Sequence, residues 1–393
     1  MADAATIGTA RPPFWRNVRV LRIFGQVVFV VAVVLVGREI WLNLQFNVHR
    51  QAIDLSFGFL DERAGYGIKE GIAYTPNDTV LRSYIVAVVN TLRVAAVGIV
   101  LASVWGLILG IARLSSNWLV RRLAQAYVDF FRNTPVLVII AFLYFGVVLG
   151  LPLIGGGGIL GVAFISNRGA AFPWPRLEPG AGLFGLVVLA AAAAAYLVGR
   201  WRTRVNERTG EPHHRVLWGL GAFLAVAAAG YALLGSPVTI EVPEQVGRGY
   251  EGGVQISGEF FGLLMGLVLY TSAFIGEIVR GSILAVDKGQ KEAAEALGLT
   301  PFQQLRYVVL PQAMRIAIPP INSQYLNLTK NSSLGLVVAY PEIVAVGSTI
   351  INQKGRFTQV IVMWMLTYLT ISLSVSAVMN LINRSVAYKG TRR

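Results

Sequence analysis

Nine polar side chains crowd one otherwise apolar stretch: Asn322, Ser323, Gln324, Asn327, Thr329, Lys330, Asn331, Ser332 and Ser333. A helix facing lipid would leave such groups without partners, so they need internal hydrogen bonds or a wet cavity. Pro319-Pro320 stands just before them and should kink the segment. A proline-interrupted polar helix is what lines a substrate passage, with freed backbone groups and hydroxyls offering hydrogen bonds. Asn327, Lys330, Asn331, Ser332 and Ser333 are therefore candidate pathway residues. The alternative is a solvated interruption between two shorter membrane segments. Glu277 and Arg280, three apart in another apolar run, share a helix face. They read as an ion pair at a helix border or as polar lining of a pathway, and Glu277 joins the candidates.

Bond-making chemistry has no visible machinery. The phosphate-cradling G-x-x-x-x-G-K-[ST] motif is missing, so the chain should not hydrolyse ATP itself. Neither G-x-S-x-G, H-E-x-x-H nor a paired-carboxylate constellation occurs. There is no cysteine, which removes disulfides and thiolate metal sites. His213 and His214 are adjacent and point apart on a regular backbone, so no metal site is expected there.

The elements that must position these residues are membrane spans. Of 393 residues 55% are hydrophobic and 14% charged, with a mean hydropathy of +0.60. A soluble chain would carry about 25% charged residues. The net charge of +14 comes from arginines scattered among loops rather than along one helix, and no nucleic-acid motif accompanies them. Excess Arg and Lys marks cytoplasmic loops instead. Apolar runs near 24–44, 84–112, 127–150, 182–199, 216–234, 258–284, 312–345 and 360–382 give about eight spans of an all-α integral membrane protein. The first run is too long for a signal-peptide core and lacks a convincing cleavage site, so it reads as an uncleaved span. Within the second run, Gly106 and Gly110 at i, i+4 suit close helix packing. Asp129 and Arg132 are expected to pair on the third.

With eight spans and the amino terminus inside, the arginine-rich segments 11–22, 113–122, 200–215 and 384–393 all fall on the cytoplasmic side. The acid-balanced segments 45–80 and 236–257 fall outside. Shifting the count by one span puts both kinds on one side.

Between the sixth and seventh spans lies 290–311, QKEAAEALGLTPFQQLRYVVLP. Strong helix formers run to Leu297, and Gly298 suits the left-handed residue that closes a helix. Thr300 can act as N-cap, Pro301 fits the first helical position, and Gln303 completes a capping box. The second helix should end or bend at Pro311. Two short helices joined by a tight turn, on the cytoplasmic side, make a rigid elbow.

The pattern Glu292-Ala293-Ala294, Gly298, Val308, Leu310 and Pro311 resembles the EAA loop of bacterial ABC importer permeases, with Val308 where isoleucine is commoner. The longer stretch 273–338, Asn90-Thr91 and Phe131-Arg132-Asn133-Thr134-Pro135 are similar to the polar amino-acid subgroup. The enlarged chain resembles permeases of the general L-amino-acid (glutamate/glutamine/aspartate) importers. That resemblance implies a five-span type I core at 84–112, 127–150, 258–284, 312–345 and 360–382, with three extra spans. It divides the chain into 1–83, a first core part 84–150, an insert 151–257 and a second core part 258–393. It also implies coupling residues Glu292, Ala293, Ala294, Gly298, Arg306, Leu310 and Pro311.

The implied partners are a dimer of ABC ATPases carrying ATP and magnesium, a second homologous permease in a heterodimer, and a periplasmic amino-acid-binding protein, all at a bacterial inner membrane. No cofactor and no nucleic acid is expected on this chain. Where many relatives have an acidic residue after the Lys330 position, this sequence has Asn331. The competing reading is an ion-coupled secondary amino-acid transporter. It would call for an intramembrane acid or sodium site and often an inverted repeat, and neither is evident.

Overall fold

The structure, a computed structural model, describes residues 18–50, 55–153, 162–210, 214–247 and 249–386. The calls on His213 and on residues 11–17 and 387–393 of the arginine-rich segments lie outside these residues. Two compact units divide at Phe59 and Leu60. The first holds α1 (Val18–Arg50), whose apolar side chains are exposed along its length, as befits a lipid-facing span.

In the second unit α2 (Val80–Ala112) starts from a Thr79 N-cap, and α3 (Trp118–Asn133) starts from Asn117, whose carboxamide accepts from Leu119 and Val120. The chain then breaks. Pro135 holds Thr134 extended at φ −101°, ψ 130°. The next segment, α4 (Val136–Ala141) with a π-helical continuation to Val148, leaves at 106°. The span expected at 127–150 is therefore bent, because the residue before a proline is driven out of helical geometry. α3 packs Ala124 and Val128 beside Leu109 and Ala273.

The apolar hairpin α5 (Ala181–Thr209) and α6 (Arg215–Leu233) follows. After it come α7 (Gly258–Leu284), α8 (Lys288–Ala296) and the short α9 (Pro301–Gln303). α9 continues through a π-helical turn (Gln304–Val309) into α10 (Leu310–Asn331). A 3-10 turn (Ser332–Val338), α11 (Ile343–Lys354) and α12 (Phe357–Val386) complete the described chain. Among the described residues six helices are long and apolar enough to cross a membrane, or eight if each of two bent pairs is one span.

α7 is the axis of the core. Gly106 and Gly110 of α2 sit where added Cβ atoms would come within 2.6 Å of Ile275 and Val279, so the two backbones touch through the glycines. Gly266 gives the same close approach to Ile140 of α4. Val94, Leu263, Leu267, Ile275 and Leu328 fill the space between α2, α7 and α10.

The loops between these helices are joined to one another, which places them on one face of the helical unit. β2 (Gly169–Phe172) pairs antiparallel with β1 (Phe164–Ser166) and with β7 (Val254–Ser257). β3 (Trp174–Leu177) pairs with β4 (Val238–Glu241), and β5 (Glu244–Val246) with β6 (Gly249–Glu251). Loop 162–180 and loop 236–257 thus share a face, as the eight-span count requires. Ser257 donates to Glu70 at 2.5 Å and Lys354 meets Glu62 at 2.8 Å, so the 60–80 loop and the end of α11 lie there too. Burial pushes the Glu70 carboxyl above the usual range, and Ser257 and Arg93 partly offset this. These short strands were not legible in the sequence.

Candidate functional site

The elbow forms through local bonds. Asp287 caps α8 by accepting from Gly289 at 2.7 Å. Gly298 closes it at φ +72°, donating to the Glu295 carbonyl at 2.8 Å, and the Leu299 amide reaches Ala294. An added Cβ on Gly298 would meet nothing within 4 Å, so its requirement is the backbone angle alone. Thr300 and Gln303 form the reciprocal capping box, the Thr300 amide donating to Gln303 Oε1 at 2.9 Å. Gln312 reaches back to Gln290 Oε1 at 3.2 Å and ties the two arms.

The second arm does not end at Pro311. An α-turn there would set the pyrrolidine ring against the Tyr307 carbonyl. The π-helical turn Gln304–Val309 just before it, in which Leu310 donates to Leu305, carries the helix onward. The helix likewise runs unbroken through Pro319 and Pro320.

Glu292 and Ala293 are exposed, whereas Ala294 is buried and anchors α8. Arg306 lies over the ring of its neighbour Tyr307. Leu310 and Pro311 are half-buried where the elbow joins α10. The elbow also exposes Leu297 (80%), Phe302 (67%) and Tyr307 (63%). Apolar side chains standing out of a polar knob are what a docking surface needs. The sequence reading passed over Leu297 and Phe302.

Nearby, Glu277 Oε1 accepts from Arg280 at 2.6 Å, and its Oε2 receives Arg113 and, at 3.5 Å, Arg132. One carboxylate thus joins the ends of α2 and α3 to α7, leaving two positive charges in excess. Arg132 also covers the Phe274 ring at 5.4 Å. The expected Asp129–Arg132 pair is absent among the described residues, because Glu277 offers Arg132 a less exposed partner. Arg113 was read only as a loop residue. Its place closing α2, where a cation is favoured, was the clue.

The polar end of α10 lies elsewhere. Leu328 packs on Gly98 and Leu264, deep in the helical unit. Two residues on and across the helix, Lys330 is exposed and makes no ion pair among the described residues. Asn327 is exposed and Asn331 half-buried. Ser332 is buried and donates to the Thr329 carbonyl at 2.6 Å, while Ser333 donates to the Lys330 carbonyl at 2.8 Å. Both hydroxyl protons are thus spent on closing the helix. Glu277 is not part of this group.

The break after the 3-10 turn is built with equal care. Asn90 donates to the Pro341 carbonyl at 2.9 Å, and the Thr91 hydroxyl accepts from the Ile343 amide at 3.2 Å. The buried Glu342 carboxylate caps α11 by accepting from Val344 and Ala345, both at 2.8 Å. α11 leaves at 52°, so the span expected at 312–345 is also two helices.

Against known proteins, residues 98–388 match the family described as binding-protein-dependent transport system inner membrane component. The chain is 40% identical to the general L-amino acid transport system permease protein AapQ of Rhizobium johnstonii, over 93% of this chain and 92% of that one. It is 41% identical to the putative amino-acid ABC transporter permease protein YhdX of Escherichia coli, over 92% and 93%. It is 36% identical to the glutamate/glutamine/aspartate/asparagine transport system permease protein BztB of Rhodobacter capsulatus, over 92% of each. A solved amino acid ABC transporter with histidines aligns at 17% identity and a TM-score of 0.46, over 78% of this chain and 94% of that one.

Proposed function

We propose, from the premise that this chain belongs to the binding-protein-dependent transport system inner membrane components, that it is the membrane-spanning permease of an ATP-driven importer of polar L-amino acids. Its similarity along nearly its whole length to permeases named for general L-amino acids and for glutamate, glutamine, aspartate and asparagine supports that substrate class. The observation that carries the mechanism is the capped elbow of residues 288–311, exposing Leu297, Phe302 and Tyr307 on the arginine-rich face.

In this reading the elbow docks on a dimer of ATPase subunits that hold ATP and magnesium, while this chain carries no cofactor and no hydrolytic residues. Glu292 pairs with an arginine of the ATPase, Ala293 lies in the contact and Ala294 holds α8 down. Arg306, Leu310 and Pro311 pass the movement into α10. A binding protein delivers the amino acid on the opposite, periplasmic face of the inner membrane, and a second, related permease completes the passage as a heterodimer. The five-span core consists of α2, the α3–α4 pair, α7, the α10–α11 pair and α12; α1, α5 and α6 are additions.

An exposed lysine in a membrane span is sustained by water or by a neighbouring subunit, not by lipid. Lys330 therefore faces the passage, with Asn327 and Asn331 beside it. Ser332 and Ser333 shape the backbone there and do not meet substrate. The excess positive charge round Glu277 belongs to the inner end of the bundle.

Affinity capture of the full chain is expected to bring down an ABC ATPase and a second permease, with uptake of labelled glutamate and glutamine in proteoliposomes supplied with the binding protein. Capture of neither subunit, together with uptake driven by a sodium or proton gradient, would favour the ion-coupled alternative. Asn331→Asp should shift preference toward lysine and arginine by roughly tenfold, the effect of about 1.4 kcal/mol of added attraction for a cation. Unchanged competition by basic amino acids would take position 331 out of the passage.

A further inference from the structure

We propose that the inner end of the α5–α6 hairpin is a binding site for an anionic phospholipid of the cytoplasmic leaflet. The inference is independent of the importer reading and needs only the hairpin and its orientation. At about 1.5 Å per residue the 29 residues of α5 extend well past the ~30 Å hydrocarbon core, whereas the 19 residues of α6 just span it. The excess of α5 lies at its arginine-rich end. Gly199 lies against the Arg215 carbonyl, 3.7 Å from where its Cβ would be, so Arg200 and Arg215 sit at one level. Tyr196, Trp201 and Trp218 surround that level, as aromatic side chains do at the membrane boundary.

Below the two arginines runs an apolar slot of about 560 Å³. Ala192, Ala195, Gly219, Leu220 and Phe223 line it, and the small residues are what leave it open. Arg200, Thr203 and Arg215 stand at its polar mouth. Both arginines are exposed, and among the described residues Arg200 donates to its own-helix neighbour Tyr196, at 3.2 Å. Further basic charge stands at Arg202, Arg204 and Arg208, against Glu207 and Glu211. A slot with cations at its membrane-surface end has the polarity of a phospholipid: phosphate at the arginines, acyl chain along the small residues. A protein partner would need its own acidic complement at that depth, with apolar surface below it.

The test offers the purified full chain equal amounts of phosphatidylglycerol and phosphatidylcholine with identical acyl chains, and counts retained lipids by native mass spectrometry. Phosphatidylglycerol should be kept in preference by roughly tenfold or more, since each basic residue near an anionic surface contributes about fivefold. The double variant R200Q/R215Q should lose that preference, R200K/R215K should keep most of it, and R121Q/R122Q in the first turns of α3 should be unaffected. Ala192→Phe, which fills the slot and leaves both arginines, should lower retention of phosphatidylglycerol.

Equal retention of the two lipids by the wild type would overturn the site. So would an unchanged preference in R200Q/R215Q or equal loss in R121Q/R122Q. Complete displacement by glycerol 3-phosphate would mean a free-phosphate site, and a protein subunit held at the hairpin in place of lipid would assign the face to that subunit; either result sinks the proposal.

Discussion

Gly298→Val should cut ATP-driven amino-acid uptake to a tenth or less of wild type while the amount of chain inserted in the membrane stays the same. The physical reason is local. Gly298 sits at φ +72° with open space where a Cβ would go, so the substitution introduces backbone strain and no clash. A left-handed residue other than glycine costs roughly 1–2 kcal/mol, and more for a β-branched one. That is too little to unfold a bundle of packed spans. It is enough to unwind the last turn of α8 or to redirect the capping box at Thr300, and either change moves Phe302 and Tyr307 away from the arm that carries Glu292. Glu292→Gln, which keeps the elbow and removes one charge, should lower uptake with equally normal insertion. Loss of insertion in either variant would instead give the elbow a folding role.

Glu277→Gln should have the second large effect, on stability. The carboxylate serves Arg113, Arg132 and Arg280 at once, and the amide that replaces it leaves three guanidinium groups close together without a counter-charge. Breaking a buried pair by removing one partner costs about 3–5 kcal/mol. With Glu277 still 27% exposed, a figure on the order of 3 kcal/mol is expected, seen as a fall of roughly 5 °C in the melting temperature of the detergent-solubilised chain. Removing Arg280 in addition should recover part of that loss, because the excess charge falls. A variant that melted normally yet transported a different set of amino acids would return Glu277 to the substrate pathway.

The elbow was legible almost atom by atom because capping boxes, helix-closing glycines and first-turn prolines are local devices: Thr300, Gln303, Gly298 and Pro301 need no distant partner. The packing of Gly106 and Gly110 was readable for a similar reason, since two small residues one turn apart invite one kind of neighbour. The breaks at Pro135 and at residues 339–342 were harder. Hydropathy averages over a window and cannot tell a straight span from two helices meeting at 106° or 52°.

Contacts between segments far apart in the chain were not readable. Nothing local says that Arg132 turns to Glu277 instead of Asp129. Nor does anything local say that Asn90 and Thr91 hold the backbone at Pro341 and Ile343, some 250 residues away. At the polar end of α10, composition alone did not separate the exposed Lys330 from the buried Ser332, whose hydroxyl proton goes to the Thr329 carbonyl of its own helix.

A single thiol provides the most direct test of the elbow as the point where a cytosolic motor grips this chain. The sequence has no cysteine, so Phe302→Cys introduces a unique one at an exposed position. In intact cells it should resist a membrane-impermeant maleimide; in inverted membrane vesicles it should react, and a short bifunctional reagent should join it to the ATPase subunit. Labelling from the outer face, or the absence of any cross-link to a nucleotide-hydrolysing subunit in the assembled complex, would contradict it.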